Sequence, residues 1–191
     1  MRLRSHRPGF AIEHSGVEPD LVALGKSFGG GLPIAAVIGK AVIMDAVPPG
    51  GLGGTFAGNP LACAAALAAL NVLEDENLTA RSMEIGERLT IGFRSLSRRG
   101  NNRQIIGEVR GLGAMIGIEL VGDTVSRCPA TALTANLMKE AAIHGLLLAS
   151  AGRAHNIIRV LAPLTVSNEI IDEALAIFQD SLGRVVTRCH T

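Results

Sequence analysis

Residues 60–73 carry no charged side chain and are mostly alanine and leucine, and Asn59-Pro60 stands directly in front of them. Asparagine can cap free helix amides. Proline suits the first helical position, where its missing N–H would go unpaired anyway. The run to about residue 74 therefore reads as one long helix, and a helix that is apolar on most faces is a buried one. A chain with such a helix must supply layers around it. The sequence is 48% hydrophobic over 191 residues, ample for a packed core, and with 3% aromatic residues that core is aliphatic.

Glycine is clustered on the N-terminal side of this helix. Gly29, Gly30 and Gly31 form one group, and Gly50, Gly51, Gly53, Gly54 and Gly58 form another. Such clusters mark tight turns or close backbone approach. Residues 34–38 between them read as a short buried strand. A second helix is expected over residues 77–99, its charged residues on the outer face. Beyond a polar linker at residues 100–103 the pattern changes. Strands are expected at residues 105–110 and 114–121, joined around Gly111 and Gly113, then a helix at 130–144 and strands at 146–149 and 157–161. Ser167 caps a last amphipathic helix ending near residue 182. The alternation defines an α/β chain in two parts, 1–76 and 77–191, the second an α+β unit of its own.

Eighteen basic residues balance 17 acidic ones for a net charge of +1, and the five phenylalanines are scattered. Neither nucleic acid nor an anionic membrane surface is an expected partner. Cys63, Cys128 and Cys189 lack metal-ligand spacing and suit a reducing compartment. The longest apolar stretch, residues 61–70, is too short to span a bilayer, and no apolar segment follows Arg2, Arg4 and Arg7. The expected location is the cytoplasm. His14, His144 and His155 are incidental to any metal site.

Three positions carry candidate chemistry. Lys26 follows a short apolar strand and precedes three glycines. A lysine that forms a Schiff base must be held deprotonated beside an electrophile, which burial and nearby positive charge favour, and the glycines would admit a planar cofactor. The alternative is an ordinary surface lysine. Thr55 lies in the second glycine cluster, where loop amides, a hydroxyl and a helix N-terminus could bind phosphate. The alternative is a plain connection to a capped helix. Arg159 sits in Asn156-Ile-Ile-Arg-Val-Leu-Ala-Pro163, among aliphatic residues. A guanidinium buried there needs an anion, since an unpaired buried charge is costly. A substrate carboxylate would supply two parallel hydrogen bonds; the alternative is an internal salt bridge to Glu119 or Asp123.

Taken together, these segments resemble class III pyridoxal-phosphate-dependent aminotransferases, from about residue 10 to about residue 182. The resemblance is carried by Glu13-His-Ser-Gly-Val-Glu-Pro-Asp-Leu-Val22, Leu24-Gly-Lys-Ser-Phe-Gly-Gly-Gly-Leu-Pro33 and Gly51-Leu-Gly-Gly-Thr-Phe-Ala-Gly-Asn-Pro-Leu61. Val109-Arg-Gly-Leu-Gly-Ala-Met115 and Asn156-Ile-Ile-Arg159 complete it. It implies an aspartate aminotransferase-like fold, with residues 1–76 ending the large cofactor domain (1–9 atypical) and 77–191 forming the small C-terminal domain. It also implies a homodimer using pyridoxal 5'-phosphate. Lys26 would carry the cofactor and shuttle the proton. Thr55 would bind the cofactor phosphate across the dimer interface, and Arg159 would clamp the carboxylate of glutamate or 2-oxoglutarate.

Within the family, Ile43-Met-Asp-Ala46 and the Pro-Gly-Gly-Leu-Gly-Gly-Thr that follows look most similar to 4-aminobutyrate aminotransferases. Ornithine, acetylornithine and other ω-amino-acid transaminases share much of the pattern, as does an aminomutase chemistry. Gly25, Val160 and Ala162 depart from the family's usual residues. Residues 1–8 do not resemble it, and its phosphate loop, ring-stacking aromatic and pyridine-paired aspartate are not in the matched part. The sequence reads as a truncated or frameshifted product, for which a non-catalytic remnant or dimerisation module is the rival role.

Overall fold

The computed structural model describes residues 10–97, 105–123 and 125–189, with the side chain of Cys189 excepted. The linker expected at residues 100–103 and the atypical residues 1–8 lie outside that set. The chain divides into two compact units, Met1–Thr79 and Ala80–Thr191.

In the first unit a 3-10 turn, Ala11–Ser15, leads to strand β1, Leu21–Leu24, which pairs antiparallel with β2, Ala36–Gly39. The strand expected at residues 34–38 thus lies two residues later. Asp20 ties the pair together: its carbonyl accepts from the Lys40 amide, and its carboxylate pairs with Lys40 Nζ at 2.7 Å. A one-turn helix α1, Ala41–Met44, and the second glycine cluster connect β2 to α2, Pro60–Asp75. The alanine run is helical as its composition dictates, but its burial is not what that composition implies. Only Ala62 and Ala66 are buried, while Leu61 and Leu67 are 72% and 58% exposed. Within this unit the helix packs mainly against the turn that follows β1.

Helix α3, Leu78–Leu96, opens the second unit. Strands β3, Ile106–Leu112, and β4, Met115–Leu120, form a hairpin; α4, Thr131–Ile143, then leads to β5, Ala149–Ala151, β6, Ile157–Leu161, and α5, Asn168–Cys189. The strands form one antiparallel sheet in the order β3-β4-β6-β5. A register shift between Ile106 and Glu108 puts a bulge at Gly107 in the β3 edge. On the inner face Val109, Ile118 and Ile158 lie in one cross-strand row, all buried. They face Ile85, Leu89 and Phe93 of α3, Leu137 of α4, and Phe178 and Leu182 of α5 in one hydrophobic cluster. The rings of Phe93 and Phe178 meet edge to face at 5.0 Å.

Two boundaries differ from expectation for identifiable reasons. Gly145, at φ +89°, turns the chain at the end of α4, and the Leu146 amide is spent on the Ala141 carbonyl. A residue that closes a helix cannot also open a strand, so β5 begins at Ala149 rather than at residue 146. Helix α5 runs past residue 182 because its buried stripe continues through Val185 and Val186.

Candidate active site

Lys26 starts a 3-10 turn, Lys26–Gly29, directly after β1. Its own backbone is in the left-handed region, φ +57°, which glycine tolerates and lysine occupies at a cost of about 1 kcal/mol. The Phe28 amide donates to the Gly25 carbonyl at 3.1 Å, and the Gly30 amide to that of Ser27 at 3.0 Å. Gly29 is buried against Ile34, whose Cγ2 would lie 2.6 Å from an added Cβ. Gly30 rests on α2, with the Ala65 carbonyl and the Ala69 methyl each 3.8 Å from where its Cβ would be. The turn thus anchors on the small-residue side of α2. Lys26 is exposed within its unit rather than buried, and its amine has no hydrogen-bond or ion-pair partner among the described residues.

Thr55 is also exposed, at the start of the turn that precedes α2. The Ala57 amide donates to Gly54, and that of Asn59 to Phe56. Asn59 then caps the helix: its Oδ1 accepts from the Leu61 and Ala62 amides at 3.0 and 3.2 Å, and its carbonyl from Cys63. Pro60 has no N–H. Every amide of the first turn is therefore absent or engaged, and the helix end expected to help bind phosphate offers no free donor. What remains is the Thr55 hydroxyl and the loop amides before it.

Arg159 belongs to the second unit, in the middle of β6, and it is exposed. The expectation of a buried guanidinium does not hold. Side chains alternate across a strand, so Ile158 points into the core and Arg159 away from it. The internal salt bridge is not formed either. Glu119 accepts from Arg127 at 3.0 Å and pairs with Arg110 at 3.5 Å, and Asp123 accepts from the Val125 and Ser126 amides and the Ser126 hydroxyl. Those bonds hold the Asp123 carboxyl below its ordinary range. Among the described residues Arg159 has no acceptor within reach.

The outer face of this sheet carries a second arginine that sequence reasoning passed over. Arg110 on β3 and Arg159 on β6 both lie opposite Gly117 of β4. Arg110 is neutralised by Glu108 at 2.6 Å as well as by Glu119. Glu108 and Glu119 are themselves cross-strand neighbours, an unfavourable like-charge pair that Arg110 and Arg127 offset. Arg159 is left as the cation of that row with no carboxylate of its own.

Described residues contain no group of three or more metal-binding side chains, and no helix among them is long and apolar enough to cross a membrane.

The fold defines a class first. An acetylornithine aminotransferase from Elizabethkingia anophelis, 35% identical, superposes with a TM-score of 0.77 over 91% of this chain and 41% of that one. The architecture is that of pyridoxal-phosphate-dependent transaminases with the aspartate aminotransferase-like fold. The profile for Aminotransferase class-III matches residues 6–182, starting a few residues before the first motif, and the chain belongs to that family. It is 46% identical to the 5-aminovalerate aminotransferase of Pseudomonas putida over 92% of its length, and 47% identical to the 4-aminobutyrate aminotransferase of Escherichia coli over 88%. The chain spans 40% and 39% of those two relatives. Class III aminotransferases are pyridoxal-phosphate dependent.

Proposed function

We propose that this chain is the carboxyl-terminal portion of a transaminase that moves an amino group from an ω-amino acid, such as 4-aminobutyrate or 5-aminovalerate, to 2-oxoglutarate. In this reading residues 1–76 end the large cofactor domain and 77–191 form the small domain. Lys26 carries the cofactor, Thr55 contributes to its phosphate site from the partner subunit of a cytoplasmic homodimer, and Arg159 receives the substrate carboxylate. The observation that carries the reading is Lys26 itself: an unpaired amine on a residue held at positive φ, between a strand and a glycine turn. Backbone strain at a lysine is kept where position matters more than stability.

The residues present fit the cofactor in part. Lys26 Nζ is available for a covalent link and Thr55 Oγ1 for a phosphate oxygen, while the α2 amides are not available. When bound, pyridoxal phosphate supplies an electron sink for the substrate carbon. The chain's own contribution is to bind and to move a proton. Lys26 Nζ would take the proton from that carbon and pass it on to the cofactor. Arg159 fixes the substrate by its planar two-point fork, which lysine cannot reproduce.

Borohydride reduction of the cofactor-loaded protein should label Lys26, and a label on Lys40 or Lys139 instead would overturn the assignment. In a chain extended to the length of its relatives, Arg159→Lys should weaken use of glutamate and 2-oxoglutarate tenfold or more while leaving the reducible cofactor link in place. The 191 residues by themselves, with cofactor, 4-aminobutyrate and 2-oxoglutarate, should form no glutamate above the enzyme-free control. Glutamate formation lost in Lys26→Ala would show that they suffice.

A further inference from the structure

Mid-strand glycine weakens a sheet, and it persists where packing forbids a side chain or where something approaches the backbone. Internal packing explains Gly111, whose added Cβ would sit 2.1 Å from the Met115 carbonyl oxygen. It does not explain Gly117. That residue lies in the central strand β4, and an added Cβ would meet only Ile157 Cγ2 at 3.4 Å and the Arg110 carbonyl at 3.8 Å, ordinary contacts. The space left by the absent side chain opens on the outer face of the sheet, in the row that holds Arg159.

The other neighbour of Arg159 in that row is Ala149 of β5. The free guanidinium is therefore flanked on both adjoining strands by the two smallest residues. The next row on the same face is filled by Leu112, Met115 and Leu161. Side chains directly opposite one another have Cβ atoms about 4.5–5.5 Å apart, so a branched residue at either position would occupy the space in which a carboxylate meets the guanidinium fork.

We propose that Gly117 and Ala149 are specificity-determining residues that keep a carboxylate-sized slot open on both sides of Arg159. This rests on the reading of Arg159 as the carboxylate-binding residue and adds what makes that residue accessible. Gly117→Val or Ala149→Val closes the slot without touching the charge.

Arginine modification by phenylglyoxal, followed residue by residue by peptide mass spectrometry on the 191-residue chain, tests the proposal with glutarate as the protecting probe. In the parent, Arg159 should react faster than the neutralised Arg110, and glutarate should protect it. Gly117→Ala should raise the half-protective glutarate concentration at least threefold, and Gly117→Val and Ala149→Val at least tenfold. Thermal unfolding midpoints of the alanine variant should stand at or above the parent's. If a valine variant fails to fold, Gly117→Ala decides, since its single methyl fits. Unchanged protection in folded Gly117 and Ala149 variants would overturn the slot while leaving Arg159 as the carboxylate residue. Absence of glutarate protection in the parent would remove the Arg159 reading and the slot with it.

Discussion

At Lys26 the backbone and the side chain ask for different residues. The left-handed φ favours glycine by about 1 kcal/mol, so Lys26→Gly should slow exchange of the Phe28 and Gly30 amide hydrogens about fivefold while abolishing the reducible link. Faster exchange in that variant would mean that the lysine stabilises its own turn. Asn59 poses a similar test. Asn59→Ala should cost about 1 kcal/mol of helix stability and release the Leu61 and Ala62 amides, measurable as faster exchange at those two positions alone. At this scale the sequence was legible in kind but not in environment. Asn59-Pro60 announced a capped helix correctly because capping is local chemistry. Arg159 looked buried because its neighbours along the chain are aliphatic, yet alternation sends it to the opposite face from Ile158. The pairing of Glu119 with Arg110 and Arg127 depends on strand register and a loop, and no local pattern encodes either.

Between elements, two charge clusters hold the helices of the second unit. Arg88 of α3 and Asp172 of α5 form a two-point pair. Glu140 of α4 is buried, and it accepts from Arg188 at 2.9 Å and Arg184 at 3.5 Å on α5, with His144 Nε2 at 3.4 Å. Burial pushes the Glu140 pKa up, but the Arg188 bond, the Arg188 charge and the contributions of His144 and Arg184 outweigh it and hold it below the ordinary 4.5. Asp172 is lowered likewise, chiefly by its bond from Arg88. A depressed carboxylate stabilises the fold above its unfolded pKa, and that contribution is lost as pH falls through the folded value. The unit should therefore lose stability below about pH 4.5, the ordinary carboxylate value. Glu140→Gln should unfold at lower temperature than the parent at pH 7, and the difference should shrink as pH falls below about 4.5, followed by circular dichroism. A difference that did not shrink would place the effect in packing. The sequence assigns His144 no role, and Arg184 and Arg188, the partners of Glu140 on α5, lie beyond residue 182, where the last helix is expected to end. Packing itself should dominate at Phe178, where Phe178→Ala should cost about 3–5 kcal/mol in denaturant titration, for a fully buried ring in edge-to-face contact.

On the scale of the whole chain, the two units are unequal. The hydrophobic cluster runs from Ile85 to Val186, wholly within the second unit, whereas among the described residues of the first the buried apolar side chains are Ala62 and Ala66. Amide exchange should accordingly be slowest in β4 and β6 and fast throughout residues 10–79, and equal protection in both units would contradict the structure. The α/β class and the order of elements were readable because periodicity is set by each segment's own residues. The exposure of Leu61, Leu67 and Phe56 was not, because an apolar helix reports what it needs around it and not what this chain provides. One consequence of the bulge at Gly107 concerns crowding. A sheet invites a second molecule to extend it wherever a long, regular margin offers unpaired backbone. Here one margin is kinked and carries Glu108 and Arg110, and the other, β5, is three residues long. Among the described residues, fibre-like growth has no template along this sheet, and clusters of this chain at high concentration should be amorphous.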